Sequence, residues 1–217
     1  LKKYTDAKIA IGGNYIFKIE SDIKKIPTVF EEYCDFLSIG DGEKVTVELA
    51  EYFDGKRDIS DVHSLIYMDE NGVIHTNEKA PCLDLDAVAY PDFIGYDFSK
   101  YFSPETVIPV QLGKGCYWSK CTFCDFYTGQ QKFDMKSVIR AVDEVEYLSK
   151  KYNSKLFNFV DEAVPPKFYD AFATEVKKRG LEIYYYSFAR LEKTFTADVL
   201  KNLYESGARF FMWGYEA

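Results

Sequence analysis

Short apolar runs alternate with helical stripes through the second half of the chain. Four runs have the length of buried strands, and they occupy residues 107–112, 156–160, 183–188 and 208–213. Helical patterns separate them: a stripe starts at Met135, a second helix opens at Pro165–Pro166, and Thr196 caps a third. This alternation predicts right-handed β-α units around a parallel sheet, so we expect an α/β fold.

Three cysteines lie within nine residues after the first of these runs. Cys116, Cys121 and Cys124 have the spacing Cys-x4-Cys-x2-Cys, and Gly113 and Gly115 flank the segment. Three soft thiolates on one short loop indicate a metal site. The loop follows a predicted strand, and the carboxyl ends of barrel strands are where such folds carry their chemistry.

The number of available ligands narrows the choice of metal. A plant-type two-iron cluster needs a fourth cysteine further along the chain, and none follows Cys124. A structural zinc site needs a fourth ligand too, and His63 and His75 lie well upstream, but zinc stays open as an alternative. Buried core cysteines are another alternative, although the Cys-x2-Cys step beside Lys120 does not fit a packed strand. Three thiolates without a fourth suit a four-iron cluster with one open iron.

The segment from Gly113 to Asp125 resembles the cluster loop of the radical S-adenosylmethionine (radical SAM) enzymes, in particular those whose barrel follows a cobalamin-binding-type domain. In that family three cysteines hold a 4Fe-4S cluster, and S-adenosylmethionine chelates the fourth iron. The usual spacing is Cys-x3-Cys-x2-Cys, so the extra residue between Cys116 and Cys121 is a departure. Phe123 matches the aromatic position before the third cysteine, which in the family lies against the adenine.

The resemblance also implies roles for polar residues at the other strand ends. Asp161 and Glu162 follow the second strand, where the family has a carboxylate that meets the methionyl amino group. Ser187 and Arg190 end the third strand, and Arg190 matches the residue that pairs with the methionyl carboxylate. Glu216, after the fourth strand, matches a position near the ribose. Taken singly, each could be a helix-cap or surface ion pair.

The amino-terminal part of the chain has a different pattern. Residues 8–13 and 34–43 each read as a short strand that runs into glycines, and a helical stretch follows at 45–52. They resemble the last two strand units of the Rossmann-like cobalamin-binding domain. The final strand of that domain ends in a glycine-rich turn, and residues Gly40-Asp-Gly-Glu43 are nearly identical to it. Gly12–Gly13 lacks a third glycine at phosphate-binding spacing, which does not support a dinucleotide site.

A β-hairpin through Asn71–Gly72 follows, and it places both histidines in or beside strands. We interpret Cys34 as a buried strand residue and Cys82 as a linker thiol, neither with a functional role.

The resemblance implies three segments. Residues 1–62 would be the carboxyl-terminal part of a cobalamin-binding-like domain, 63–103 a hairpin and linker, and 104–217 the first four units of a partial radical SAM (β/α) barrel. We therefore expect a piece of a longer protein, because the family's barrel has six strands. The family's cobalt-ligating histidine, on an Asp-x-His-x-x-Gly loop, has no counterpart in these residues. Cobalamin is thus an expectation for the full-length protein only.

Composition restricts the partners. The net charge of −8 argues against nucleic acid as a general partner, since binding a polyanion requires basic surface. No apolar stretch is long enough for a membrane span, and we expect no signal peptide. Clustered cysteines suit a reducing compartment, so we expect a cytoplasmic protein.

The function implied by the resemblance is reductive cleavage of S-adenosylmethionine to a 5′-deoxyadenosyl radical. Methyl transfer, as in cobalamin-dependent relatives, is one outcome, and the substrate, a small molecule or a peptide, is not readable. Such an enzyme needs an electron donor such as flavodoxin or ferredoxin. The competing hypothesis is a zinc-stapled α/β module that binds or scaffolds without catalysis.

Overall fold

The computed structural model describes residues 2–124 and 133–215. The chain divides into two compact units, Leu1–Leu83 and Asp84–Ala217. Each unit has its own sheet and its own hydrophobic core. In the described part of the chain, no helix is both long enough and apolar enough to cross a lipid bilayer.

The first unit contains one four-stranded sheet. Its strands, in spatial as well as chain order, are β1 (Ala10–Ile11), β2 (Phe36–Ser38), β3 (Leu65–Met68) and β4 (Ile74–Thr76). Strands β1 and β2 are parallel, and β3 is antiparallel to both of its neighbours. The helical segments are α1 (Asn14–Lys18), α2 (Glu20–Ile23), a π-helical turn (Val29–Tyr33), α3 (Gly42–Phe53) and two 3-10 turns (Lys2–Tyr4 and Ile59–Asp61).

Both faces of this sheet are covered. Successive side chains of a strand point to opposite faces, so neighbouring residues of β2 join different clusters. Leu37 packs with Ile66 on one face, and Phe36 packs with Val45 of α3 on the other. Burying a side chain of this size stabilises the fold by about 1.5–3 kcal/mol, so the two clusters hold the sheet from both sides.

The hairpin predicted through Asn71 and Gly72 is present between β3 and β4. Gly72 has a φ of 78°, and the Asp69 carboxylate accepts the Asn71 amide hydrogen, as such a turn requires. The sequence analysis assigned this hairpin to a separate segment, residues 63–103, together with a linker. In the structure β3 pairs with β2, so the hairpin completes the first unit, and the division between the units falls after Leu83.

The second unit is built on a parallel sheet with a small antiparallel pair beside it. Its strands are β5 (Val107–Val110), β6 (Gly113–Lys114), β7 (Asp134–Met135), β8 (Leu156–Phe159), β9 (Tyr184–Arg190) and β10 (Ala208–Gly214). Its helical segments are a 3-10 turn (Phe98–Lys100), α4 (Val138–Tyr152), α5 (Pro166–Lys178) and α6 (Ala197–Glu205). The parallel sheet has the order β10-β9-β8-β5, with one helix between each pair of consecutive strands. The expected α/β class with a parallel sheet is confirmed.

Local signals set the ends of these helices. The Ser137 hydroxyl accepts the Arg140 amide at the start of α4, and the Thr196 hydroxyl accepts the Val199 amide at the start of α6. Gly207 has a φ of 112°, and a Cβ there would lie 1.9 Å from the Ile183 carbonyl oxygen. Only glycine fits that position, which is why the chain can turn tightly from α6 into β10.

Among the residues that the structure describes, the helices cover only one face of the parallel sheet. Phe157, Phe159 and Tyr185 are buried on the helix side. Tyr186 and Phe188, which alternate with the buried residues along β9, are 40% exposed on the other side. The second unit therefore presents an open apolar face.

Strands β6 and β7 were not predicted. Gly113 pairs with Met135 and Lys114 with Asp134, which closes the base of the segment that carries the three cysteines. A Cβ on Gly113 would lie 2.6 Å from the Asp134 carbonyl oxygen, so this close pairing depends on glycine. The helical stripe expected from Met135 begins later, at Val138, because Met135 is taken into the strand pair.

Candidate functional site

The three cysteines line one cavity of about 570 Å³. Cys116, Cys121 and Cys124 are free thiols with partial exposure. Glu162, which follows β8, and Arg190, which ends β9, line the same cavity. The carboxyl ends of neighbouring parallel strands thus meet the cysteine segment, as in barrel and doubly wound enzymes.

Backbone contacts hold the cysteine segment against the sheet. Cys116 forms a parallel β-bridge with Ala163, just beyond β8. The Ser119 hydroxyl donates to the Cys116 carbonyl, and the Cys124 amide donates to the Cys121 carbonyl at 3.2 Å. The segment is therefore a folded loop in its described part.

The loop does not bring its thiols into a preformed ligand set. Among the side chains that the structure describes, no three His, Cys, Asp or Glu residues are arranged so that they could hold a metal ion. The donors still suit a 4Fe-4S cluster, because soft thiolates are the ligands that iron–sulfur clusters use, and three of them line one cavity. A closed zinc shell needs a fourth ligand, whereas His63 and His75 each bond to a carboxylate, those of Glu48 and Asp69.

Asp161 and Glu162 point in different directions. Glu162 lines the cavity, but Asp161 is only 5% exposed, and its two carboxylate oxygens accept the amides of Leu112 and Gly113 at 2.7 and 2.6 Å. The position of Asp161 differs from the predicted contact with a methionyl amino group. It fixes the chain where β5 passes into the cysteine loop, because a carboxylate that accepts two backbone amides is held firmly.

Burial raises the pKa of the Asp161 carboxyl to about 6. The two backbone amides and the charge of Lys136 act in the opposite direction but do not offset the loss of solvent.

Ser187 also faces away from the cysteines. Its hydroxyl lies 2.6 Å from the Tyr169 hydroxyl and donates to the Phe159 carbonyl in the buried layer under the helices. Ser187 and Arg190 are three residues apart on β9, so strand alternation places them on opposite faces. Only Arg190 reaches the cavity beside the cysteine loop, and the prediction that grouped the two residues differs from the structure in this respect.

Arg190 is surrounded by residues that sequence reasoning missed. Its guanidinium forms an ion pair with Glu192 at 3.0 Å and lies 3.9 Å from the centre of the Trp118 ring. Tyr117 donates its hydroxyl hydrogen to the same Glu192 carboxylate. Burial, followed by the Glu192 carboxylate, raises the pKa of Tyr117, which keeps the hydroxyl protonated. The available signal was the pair of aromatic residues directly after Cys116.

The remaining predicted residues lie at the rim or outside the described chain. Phe123 is 68% exposed and lines the cavity, where an aromatic face is available to a ligand. Glu216 lies outside the described residues. Gly214 and Tyr215, which precede it, line the cavity.

A second cavity of about 620 Å³ lies on the same open face of the parallel sheet. Its wall includes Tyr184, Tyr186 and Phe210. Phe188 and Met212 line both cavities, so the two are neighbours on one largely apolar surface.

The chain was compared with known proteins by sequence and by fold. No family model matches the chain. The anaerobic magnesium-protoporphyrin IX monomethyl ester cyclase of Rubrivivax gelatinosus is 28% identical over 169 residues, which are 72% of this chain and 30% of the cyclase. The chain thus spans about a third of that protein's length.

Solved structures share the fold. The cobalamin-dependent S-adenosylmethionine radical enzyme OxsB with bound aqua-cobalamin matches with a TM-score of 0.74 at 20% identity, over 96% of this chain and 31% of OxsB. A second match is the radical S-adenosylmethionine methyltransferase TsrM of Kitasatospora setae with tryptophan and a SAM analogue bound. Its TM-score is 0.72 at 18% identity, over 99% of this chain and 42% of TsrM. Another TsrM structure contains cobalamin and a [4Fe-4S] cluster.

The chain therefore shares its fold with part of each of these radical enzymes. The predicted resemblance is confirmed as a likeness of fold to cobalamin-dependent and radical S-adenosylmethionine enzymes.

Proposed function

We propose that this chain is the cofactor-binding part of a radical S-adenosylmethionine enzyme. The observation that carries the proposal is the shared cavity: Cys116, Cys121 and Cys124 line it together with Glu162 and Arg190. It joins soft metal ligands to one anionic and one cationic side chain, the two charges that an aminoacyl group needs.

Each residue has a distinct task in this proposal. The three cysteine thiolates would hold a 4Fe-4S cluster and leave one iron open. The Arg190 guanidinium would pair with the ligand's carboxylate, and Glu162 would receive its ammonium group. Reductive cleavage of S-adenosylmethionine to methionine and a 5′-deoxyadenosyl radical is the chemistry that such a cluster supplies when bound, with one electron from a flavodoxin- or ferredoxin-like donor.

Other residues shape the site. Phe123, Trp213 and the apolar wall of the open face would hold the adenosyl group and exclude water. Asp161 would keep the start of the loop in place through its two amide bonds. Glu216 stays a proposed contact of the ribose.

For the full-length protein we propose a cytoplasmic enzyme that acts on a small molecule or peptide. Cobalamin-dependent methyl transfer is the finer form of this proposal. Two relatives in fold support it: TsrM is a methyltransferase with a cobalamin-bound structure, and OxsB is a cobalamin-dependent radical enzyme.

Anaerobic reconstitution with iron and sulfide tests the proposal. We expect about four irons and four sulfides per chain, with a visible charge-transfer band. Replacing Cys116, Cys121 or Cys124 by Ala should abolish iron uptake. Cys34→Ala and Cys82→Ala are the matched controls and should leave it unchanged, because both residues lie in the first unit. Stoichiometric zinc without iron uptake would contradict the proposal.

A further inference from the structure

Glu192 connects two parts of the second unit that are far apart in sequence. Its carboxylate oxygen Oε1 accepts the hydroxyl hydrogen of Tyr117 and also lies 3.0 Å from the Arg190 guanidinium. Tyr117 belongs to the cysteine loop, and Arg190 ends strand β9. One carboxylate oxygen therefore ties the loop to the end of the strand.

A second contact joins the same two parts. The Arg190 guanidinium lies 3.9 Å from the centre of the Trp118 ring and 5.5 Å from that of Tyr117. Cation–π contacts at these distances hold the guanidinium against the loop. Tyr117 and Trp118 lie between Cys116 and Cys121, so these contacts join Arg190 to the segment that carries the cysteines.

The charges of this cluster are partly buried. The side chains of Arg190 and Glu192 are 26% and 24% exposed. Solvent and salt therefore screen the attraction between the two charges less than they would at an open surface. A guanidinium has five N–H donors, so Arg190 can bond to Glu192 and still present donors to the cavity that it lines.

We propose that Glu192 is a positioning residue that latches the cysteine loop onto strand β9 and aims Arg190 at the cavity. The Glu192 latch consists of Tyr117, Trp118, Arg190 and Glu192. Its role in aiming Arg190 rests on the proposed function, whereas the attachment of the loop does not. The latch couples the place where the metal ligands lie to the place where a ligand carboxylate would bind.

Site-resolved alkylation of the metal-free chain tests the latch. The chain is treated with iodoacetamide under reducing conditions, and the rate at each cysteine is followed by peptide mass spectrometry. Tyr117→Phe removes the hydroxyl but keeps the ring, which packs against Phe133. We expect this variant to raise the rates at Cys121 and Cys124 roughly fivefold, as the loss of one partly buried hydrogen bond predicts.

Glu192 variants separate positioning from general destabilisation. Glu192→Ala should raise the same rates, and the double variant Tyr117→Phe/Glu192→Ala should raise them no further than Glu192→Ala, because both changes remove the same bond. Glu192→Gln keeps an oxygen that can accept from Tyr117, so it should restore rates close to those of the parent chain. An unfolded loop would not be rescued in this way.

The chain contains its own controls. Thr194 donates its hydroxyl hydrogen to the other Glu192 oxygen at 3.3 Å, so Thr194→Val removes a bond that the latch does not use. Cys82 is exposed and should react at one rate in every variant. Cys34 is fully buried, and burial raises the pKa of its thiol to about 11, so it should stay unreactive.

The latch would be refuted if Tyr117→Phe left the loop rates within twofold of the parent, or if Thr194→Val raised them equally. Because no metal and no S-adenosylmethionine are present in the experiment, failure of the latch is distinguishable from failure of the proposed function, which shows in iron uptake.

Discussion

The two units of the chain differ in how completely the faces of their sheets are covered. In the first unit both faces of the sheet are covered by apolar clusters, whereas in the second the helices cover one face and leave the other open. The surroundings of some charged side chains differ as well. Glu48 in the first unit is saturated by the His63 amide and ring and lies near Arg57, while Glu162 and Arg190 of the second unit line a cavity.

The difference shows where ligand binding is possible. A charged group whose partners all come from the protein stabilises local structure and has little left for a ligand. An open apolar face with charged groups at its edge has both surface to bury and donors to offer. The chemistry of this chain is therefore expected on the second unit.

The largest expected effect concerns the two faces of the parallel sheet. Phe159 is fully buried and stacks on Tyr185 at 4.8 Å, so Phe159→Ala should lower the free energy of unfolding by about 3–5 kcal/mol. Phe188 lies on the open face and is 40% exposed, and Phe188→Ala should cost less than about 1 kcal/mol. Urea unfolding measures both. Equal losses would mean that the open face is covered in solution.

A smaller effect is expected on the pH dependence of stability, where two buried carboxylates, Asp161 and Glu48, should act with opposite sign. The folded-state pKa of Asp161 is about 6, above its ordinary value of 3.8, so the folded chain binds this proton more tightly than the unfolded chain does. Its contribution to stability should therefore be fully present below about pH 4 and be lost as the pH rises through about 6, a change of at most about 3 kcal/mol.

Glu48 should show the opposite sign. Burial alone would raise its pKa, but the hydrogen bonds from His63 and the charge of Arg57 lower it. Its contribution is present above the unfolded pKa and is lost as the pH falls through the folded pKa. Urea unfolding of Asp161→Asn, Glu48→Gln and the parent from pH 4 to pH 7 tests both signs. A parent and an Asp161→Asn variant with parallel pH profiles would contradict the shift at Asp161.

The smallest of these effects is on cofactor affinity. Arg190→Ala should weaken binding of S-adenosylmethionine to the reconstituted chain by about tenfold or more, because the ligand carboxylate would lose its cationic partner. Iron content should be unchanged, since Arg190 is not a proposed iron ligand. Arg179→Ala is the matched control: Arg179 pairs with Asp143 and Glu175 among the helices. Equilibrium dialysis gives both affinities. Equal affinity of Arg190→Ala and the parent would return Arg190 to a purely structural ion pair.

Most of the fold could be predicted from local pattern. The strands and helices of the second unit lie within a few residues of their predicted positions, because hydrophobic period, helix caps and glycine turns act over short distances. The Asn71–Gly72 hairpin followed from its turn residues. The two-residue strands β6 and β7 could not be predicted, because such short segments have no periodicity and form only by pairing with each other.

The residue types of the site could be predicted from the sequence, but the directions in which some of the side chains point could not. The cysteine triplet, Glu162 and Arg190 follow from motif and strand-end position, and the structure places all five on one cavity. Asp161 and Ser187 were grouped with them, yet both turn into the protein, because a shift of one residue in a strand moves a side chain to the other face.

The sequence by itself determined the order of elements, the class of sheet and the chemical identity of the candidate ligands, because these depend on nearest neighbours along the chain. Only the tertiary structure decided which side chains face the cavity, that the hairpin belongs to the first unit, and that Tyr117 meets Glu192 across 75 positions. Such contacts depend on strand register and on how distant segments pack, and neither leaves a mark in local pattern.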